Sequence, residues 1–162
     1  MSAMNNGASD GARLYSLAER RQAPVLTSTD FARLEIFAFD ETGPTRKALI
    51  AKLAEGRIVS GDRIPATVAT IGSVLRYRVG NGIVERRTLT LPANAKPNGQ
   101  FVSVVAPVGL ALLGRKAGET AVVDLPGGGR LSIELIEVEF QPEAEVRRRS
   151  IPSPRDDGPG AA

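Results

Sequence analysis

The spacing of apolar residues changes character once along this chain, from helical to alternating. Phe31, Leu34, Phe37 and Ala38 are separated by three, four and seven positions, which lines them up on one stripe of a helix. Ser28-Thr29-Asp30 just ahead supplies several candidate N-caps. The stripe runs out near Asp40-Glu41-Thr42-Gly43. Pro44 then suits the first turn of a new helix, and Leu49 and Leu53 carry an i,i+4 stripe to about Ala54. The tight turn between the arms predicts an antiparallel, coiled-coil-like hairpin within residues 28–60. Arms of roughly 10 to 12 residues are too short to persist alone in water, so the hairpin must rest on the segment C-terminal to it.

From Thr67 the period becomes two. Leu75, Tyr77 and Val79 share one face, with Arg76 and Arg78 on the other, which predicts a half-exposed strand. Gly80-Asn81-Gly82 is a tight-turn signal, and residues 83–91 return as a second strand. Pro92 to Gly99 reads as a loop. The mostly apolar run Phe101-Val102-Ser103-Val104-Val105 reads as a central strand, followed by a short helix from Pro107 to Leu113 that Gly114 stops. Thr120 to Leu125 and Leu131 to Phe140 flank Pro126-Gly127-Gly128-Gly129, the clearest hairpin signal in the sequence. In the last strand the apolar set moves from odd positions (Leu131, Ile133, Leu135) to even ones (Ile136, Val138, Phe140). A strand facing one core cannot do that without an inserted residue, so a bulge is predicted near Leu135-Ile136.

The sum is an α+β fold: a helical hairpin, then an antiparallel sheet covered by a single short helix over residues 61–142. Residues 1–27, where Leu14, Tyr15 and Leu17 are too few to close a core, and residues 143–162, with three prolines and Arg147-Arg148-Arg149, are expected to be disordered tails. Alongside Glu143, Glu145, Asp156 and Asp157, the arginine triplet reads as a solvated, partly compensated charge run.

Composition narrows the chemistry. The 162 residues include no cysteine and no histidine, which removes disulfides, thiolate nucleophiles, common zinc sites and the usual general base. The net charge is only +3, with arginines dispersed among acids, and aromatics make up 4%. Both facts favour a protein partner over direct, specific nucleic-acid binding. No apolar run reaches the ~20 residues of a membrane span and the N-terminus lacks a secretory pattern, so a cytoplasmic location without membrane association is expected.

Gly127-Gly128-Gly129-Arg130 lacks the Lys-Ser/Thr of a phosphate-binding loop, and a hairpin turn is the better reading. Arg76, Arg78, Arg86 and Arg87 read either as a solvated strand face or as a basic docking face, the first being favoured. Asp40 and Glu41 are adjacent carboxylates at the hairpin tip, able in principle to ligate a hard cation. No metal or other cofactor is implied.

The run from Phe101 to Thr120, followed by Val123-Asp124-Leu125-Pro126-Gly127-Gly128, resembles the signature of the GreA/GreB elongation-factor C-terminal domain. The stretches Ile64 to Ser73 and Leu135 to Ala144 are more similar to the Rnk type, the regulators of nucleoside diphosphate kinase, within the same group. The resemblance implies an FKBP-like domain that docks on RNA polymerase at the mouth of the secondary channel, against a coiled-coil tip of the largest subunit. It implies contact through Val105, Ala106 and Pro107 with Ser103 and Gly109 nearby, and a hairpin pointing into the channel. Gre proteins often carry an acidic or hydroxyl residue just before that proline. Val105-Ala106 makes the contact here more apolar.

The expected function is therefore a polymerase-binding transcription regulator that is not itself an enzyme. Its hairpin, at about three turns per arm, is too short to carry Asp40 and Glu41 to a catalytic magnesium. The alternatives are a Gre-like cleavage factor using those two acids and a prolyl isomerase suggested only by the fold. The latter would need an aromatic-lined pocket, and the sheet region offers only Tyr77, Phe101 and Phe140, which argues against it.

Overall fold

The computed structural model describes residues 23–125 and 127–151. The expected N-terminal tail lies outside these residues as far as position 22, as does the last stretch from 152. Helix α1 spans Ser28–Asp40 and α2 spans Gly43–Glu55, with Pro44 at the start of α2. The N-cap of α1 is Thr27, one residue ahead of the candidates, and its side chain accepts the Asp30 N–H at 3.0 Å. Ser28, Thr29 and Asp30 are already helical, and this frees the Asp30 carboxylate for a distant partner. At 13 residues each, the helices fall short of two heptads. They pack as a plain pair with no coiled-coil repeat evident, a correction to that expectation.

The expected disorder up to Thr27 also needs correcting. Strand β1, Val25–Thr27, pairs in parallel with β2, Arg57–Val59, so the chain entering the hairpin lies beside the chain leaving it. Leu26 and Thr27 are buried. A three-residue strand whose partner is some thirty positions away has no periodicity to betray it.

The main sheet is mixed and has the order β5-β4-β3-β7-β6. Its strands are β3 (Val74–Val79), β4 (Val84–Thr90), β5 (Phe101–Ser103), β6 (Thr120–Asp124) and β7 (Arg130–Phe140). The hairpins β3-β4 and β6-β7 form as expected. Strand β5 does not lie centrally: it is a three-residue edge strand parallel to β4. Val104, completely buried, owes its burial to the turn that leads from β5 into helix α3 (Pro107–Leu112), not to flanking strands. Apolar run length alone cannot separate these two ways of being covered.

The bulge is present. Along β3-β7, Arg76 pairs with Glu137 but Tyr77 pairs with Leu135, leaving Ile136 unmatched, and a second shift between Val74 and Leu75 leaves Glu139 unmatched. These insertions let Ile133 and Leu135 stay in the core while the apolar set changes parity.

Hairpin and sheet share one core. Leu26, Leu34, Ala38 and Leu49 pack in the same cluster as Leu75, Tyr77, Leu89, Leu112, Ile133 and Leu135. The expected C-terminal tail is also structured in part, as helix α4, Pro142–Ser150. Proline serves at its first turn, Glu143 and Glu145 sit at the positive end of its dipole, and Arg147, Arg148 and Arg149 at the negative end. Arg148 and Arg149 both reach Glu145, at 2.7 and 3.0 Å, and Arg147 donates to the Gly61 carbonyl at 2.9 Å. What reads as a helix-resistant charge run is thus a run ordered along the helix dipole.

Candidate functional site

The turn from β5 into α3 is built on backbone contacts. Val104 N–H donates to the Thr90 carbonyl at 2.8 Å, Ala106 N–H to the Ser103 carbonyl at 3.1 Å, and Leu110 N–H to the Ala106 carbonyl at 2.8 Å. The Ser103 hydroxyl accepts the Val105 N–H at 3.3 Å. Gly109 lies beneath, so close to the Ser103 carbonyl that any Cβ would overlap it. Val105 and Ala106 are half-buried and Pro107, which starts α3, is exposed. The result is a pinned turn with an apolar crest.

Glycine also ends the motif. Gly114 has φ +81° and is packed against Pro24 and Val25, where its N–H donates to the Ala69 carbonyl and its carbonyl accepts the Val25 N–H. The segment after α3 is in this way tied to the strand that precedes the hairpin.

Two buried ionisable residues join the hairpin base to the sheet domain. Asp30, 2% exposed at the start of α1, accepts the Ile71 N–H at 3.0 Å and lies 3.4 Å from Arg33. Burial, aided by the nearby Glu143 carboxylate, pushes its carboxyl up to about 6 despite the Ile71 hydrogen bond. Lys52, 6% exposed near the end of α2, donates to the Ala111 carbonyl of α3 at 3.3 Å. Burial, aided by Arg115, brings its ammonium down to about 7. Sequence reasoning missed both roles. The available hint was Lys52 lying one position from Leu53 and three from Leu49, on the stripe that turns inward.

Asp40 and Glu41 occupy the opposite end of the hairpin. Asp40 is exposed, and Glu41 caps α1 by donating its N–H to the Phe37 carbonyl at 2.9 Å. Lys52 stands nine residues along α2 from Gly43, so the tip is roughly 14 Å from the contact with α3 at the helical rise. Tip and turn are therefore separate features. No group of three or more potential metal-ligating side chains comes together among the described residues. Phe39 beside the tip is 85% exposed.

The arginine face is compensated. Arg76 and Arg86 stand directly opposite each other on β3 and β4, and Glu139, displaced by the second bulge, reaches Arg86 at 2.6 Å and Arg76 at 3.8 Å. Arg78 faces Glu134 at 3.9 Å and Arg87 meets Glu85 at 2.9 Å. Tyr77 is inside the core, where it cannot line a pocket. One surface recess, lined by Arg78, Asn81, Thr120, Ser132 and Glu134 among others, is polar. The glycine run closes the β6-β7 hairpin through Leu125 N–H to the Gly129 carbonyl at 2.9 Å, with Pro126 outside the described residues. No helix among the described residues is long and apolar enough to cross a membrane.

Comparison with known proteins agrees with this architecture. Residues 64–140 match the family model described as transcription elongation factor, GreA/GreB, C-term. The regulator of nucleoside diphosphate kinase of Escherichia coli K12 is 39% identical over 102 residues, covering 62% of this chain and 75% of that protein. The transcription elongation factor GreA of Amoebophilus asiaticus is 31% identical over 96 residues, covering 56% and 60% of the two chains. Among solved structures, the prokaryotic transcription elongation factor GreA/GreB from Nitrosomonas europaea superposes with a TM-score of 0.59 at 36% identity, over 72% of this chain and 98% of that one. With a pinned β5-α3 turn, a curled mixed sheet and a short helix pair ahead of it, the chain belongs to the GreA/GreB family and carries that family's FKBP-like C-terminal domain.

Proposed function

We propose that this protein is a cytoplasmic RNA polymerase-binding regulator of the Gre and Rnk type, without transcript-cleavage activity and not itself an enzyme. It docks at the mouth of the secondary channel, against the coiled-coil tip of the largest subunit, through Val105, Ala106 and Pro107. Ser103 and Gly109 hold that crest in place. The observation that carries this reading is the pinned turn. Its backbone is bonded at Ser103, Val104 and Ala106, and Gly109 closes it from beneath, so a partner meets a surface already in its bound shape. Charge compensation across the arginine face supports a protein partner over nucleic acid.

The short arms support the absence of cleavage. Thirteen residues span about 20 Å at the helical rise, and the base of each arm is embedded in the domain, so only part of that length projects. In this reading Asp40 and Glu41 occupy the channel entrance and do not reach the catalytic magnesium.

Two measurements test the proposal. Co-purification with core RNA polymerase should be retained by the parent chain and weakened about tenfold or more by Pro107→Ala, the cost of losing a central contact residue. In backtracked elongation complexes the protein should not accelerate RNA shortening. Cleavage that disappears in the Asp40→Ala/Glu41→Ala variant would establish the alternative, a Gre-like cleavage factor. Failure of the parent chain to bind polymerase at micromolar concentration and modest salt would end both readings. Deleting the hairpin is a poor control, because Leu34 and Leu49 belong to the shared core.

A further inference from the structure

The two edges of the main sheet are treated differently. At one, β5 is cut to three residues and turns away into α3. At the other, β6 presents Thr120-Ala121-Val122-Val123-Asp124, a run with two valines, a threonine and a single charge, whose only strand partner among the described residues is β7. Val122 in its middle is 64% exposed. An edge of this composition, with no proline or lysine and no covering segment among the described residues, is a template for another strand.

Its hydrogen-bonding direction can be read from the ladder. Leu125 N–H donates to Gly129 and Leu135 N–H donates to Glu119, so Glu119 and Leu125 point their backbone groups at β7. Alternation then turns Ala121 and Val123 toward β7 as well, and leaves the N–H and C=O of Thr120, Val122 and Asp124 directed outward. The length available is bounded at both ends. Thr67 and Val68 cover the edge at Lys116 and Ala117, and the chain turns back after Leu125.

We infer that this edge pairs with the same edge of a second copy, antiparallel about a two-fold axis at Val122, to join the sheets of two molecules into one. A window running from Glu119 to Leu125 is centred on Val122, so only that register uses its whole length. Val122 then faces Val122 of the second copy and Thr120 faces Asp124, each pair exchanging N–H···O=C bonds in both directions. The side chains agree with the backbone. On the face away from the core, one row across the joined sheet reads Arg130, Asp124, then Thr120 and Glu134 of the second copy, which sets a hydroxyl donor beside a carboxylate and opposes no like charges at the seam. The row through the axis is Ser132 and Val122 followed by their symmetry mates. An isologous interface requires such self-complementarity, which a sheet edge built for an unrelated segment need not have. The contact is short, so association belongs in the upper micromolar range. This inference is independent of the polymerase reading.

The chain has no cysteine, which makes a single introduced thiol a clean reporter. Val122→Cys should cross-link to a covalent dimer under mild oxidation, since facing Cα atoms in such a pair lie about 5.5 Å apart. Thr120→Cys should react at least about tenfold more slowly, because its symmetry mate is four residues away along the strand, roughly 13 Å. Sedimentation equilibrium of the unmodified chain should show a dimer growing with concentration. Val122→Pro should abolish it, since it removes an outward N–H and leaves the β7 ladder intact. Val122→Lys serves the same purpose if circular dichroism shows the proline variant to be misfolded. Equal cross-linking at positions 120 and 122, a monomer at every concentration up to about a millimolar, or a dimer indifferent to both substitutions would overturn the inference.

Discussion

The Oδ2 atom of Asp30 accepts the backbone N–H of Ile71 at 3.0 Å, so a carboxylate in the first turn of the hairpin supplies a hydrogen bond that the loop before β3 lacks. Thr27, taking the N-cap position, and Glu143, bonded to Thr70 at 2.7 Å, frame this contact from β1 and from α4. Hairpin, sheet and C-terminal helix meet there.

Asp30 should make stability depend on pH in the acid range. Its carboxyl is raised from 3.8 to about 6, so the folded state holds the proton more tightly than the unfolded chain does. The stabilisation is complete below about 4 and is lost as pH rises through 6. Asp30→Asn, which keeps an acceptor for Ile71, should flatten that slope in urea titrations and be at least as stable as the parent at pH 7. Asp30→Ala leaves the Ile71 N–H without its acceptor and should be about 1–3 kcal/mol less stable than the Asn variant.

Lys52 predicts a slope in the alkaline range. Its ammonium falls from 10.5 to about 7, so the folded state prefers the neutral amine. The contribution is complete above about 10.5 and is lost as pH falls through 7. Lys52→Met, of similar length and apolar, should remove that dependence in denaturation midpoints measured from pH 7 to 10.

Gly109→Ala should cost about 1–3 kcal/mol or more, because the added methyl overlaps the Ser103 carbonyl and backbone must move to admit it. Urea denaturation measures the stability loss. Under the proposed function, the same variant should bind core polymerase more weakly even at temperatures where it remains folded, since the displaced segment carries Val105, Ala106 and Pro107.

Glu139→Ala removes the carboxylate that bridges Arg76 and Arg86. Arg86 would then face Arg76 without its own carboxylate partner, while Arg76 keeps Glu137 at 3.3 Å and both guanidinium groups are substantially solvated, so the loss should be about 0.5–1 kcal/mol. Thermal unfolding at low and high salt checks the cause, since the difference from the parent should shrink as salt rises.

Most of the elements were legible in the sequence because they depend on local rules. Helical spacing marked α1 and α2, alternation marked β3, β4 and β7, glycine and proline marked the turns, and the parity change in β7 marked its bulge at Ile136. The motif running from Phe101 to Thr120 located the turn around Pro107, but the pattern does not show why the glycine at 109 must be one. The reason is the Ser103 carbonyl lying against it, a contact across a chain reversal.

Burial partners and strand neighbours were decided only in three dimensions. Residues 25–27 and 57–59 become strands because the two ends of the hairpin come together, and β5 falls at an edge because α3, not another strand, covers its continuation. Helix α4 forms where prolines and arginines suggest a tail, since Glu143 and Arg147 find Thr70 and Gly61 to hold it against the domain. Asp30 and Lys52 look like ordinary helix charges in the sequence. What makes them anchors is their burial, a property of the packed chain that no neighbour in the sequence announces.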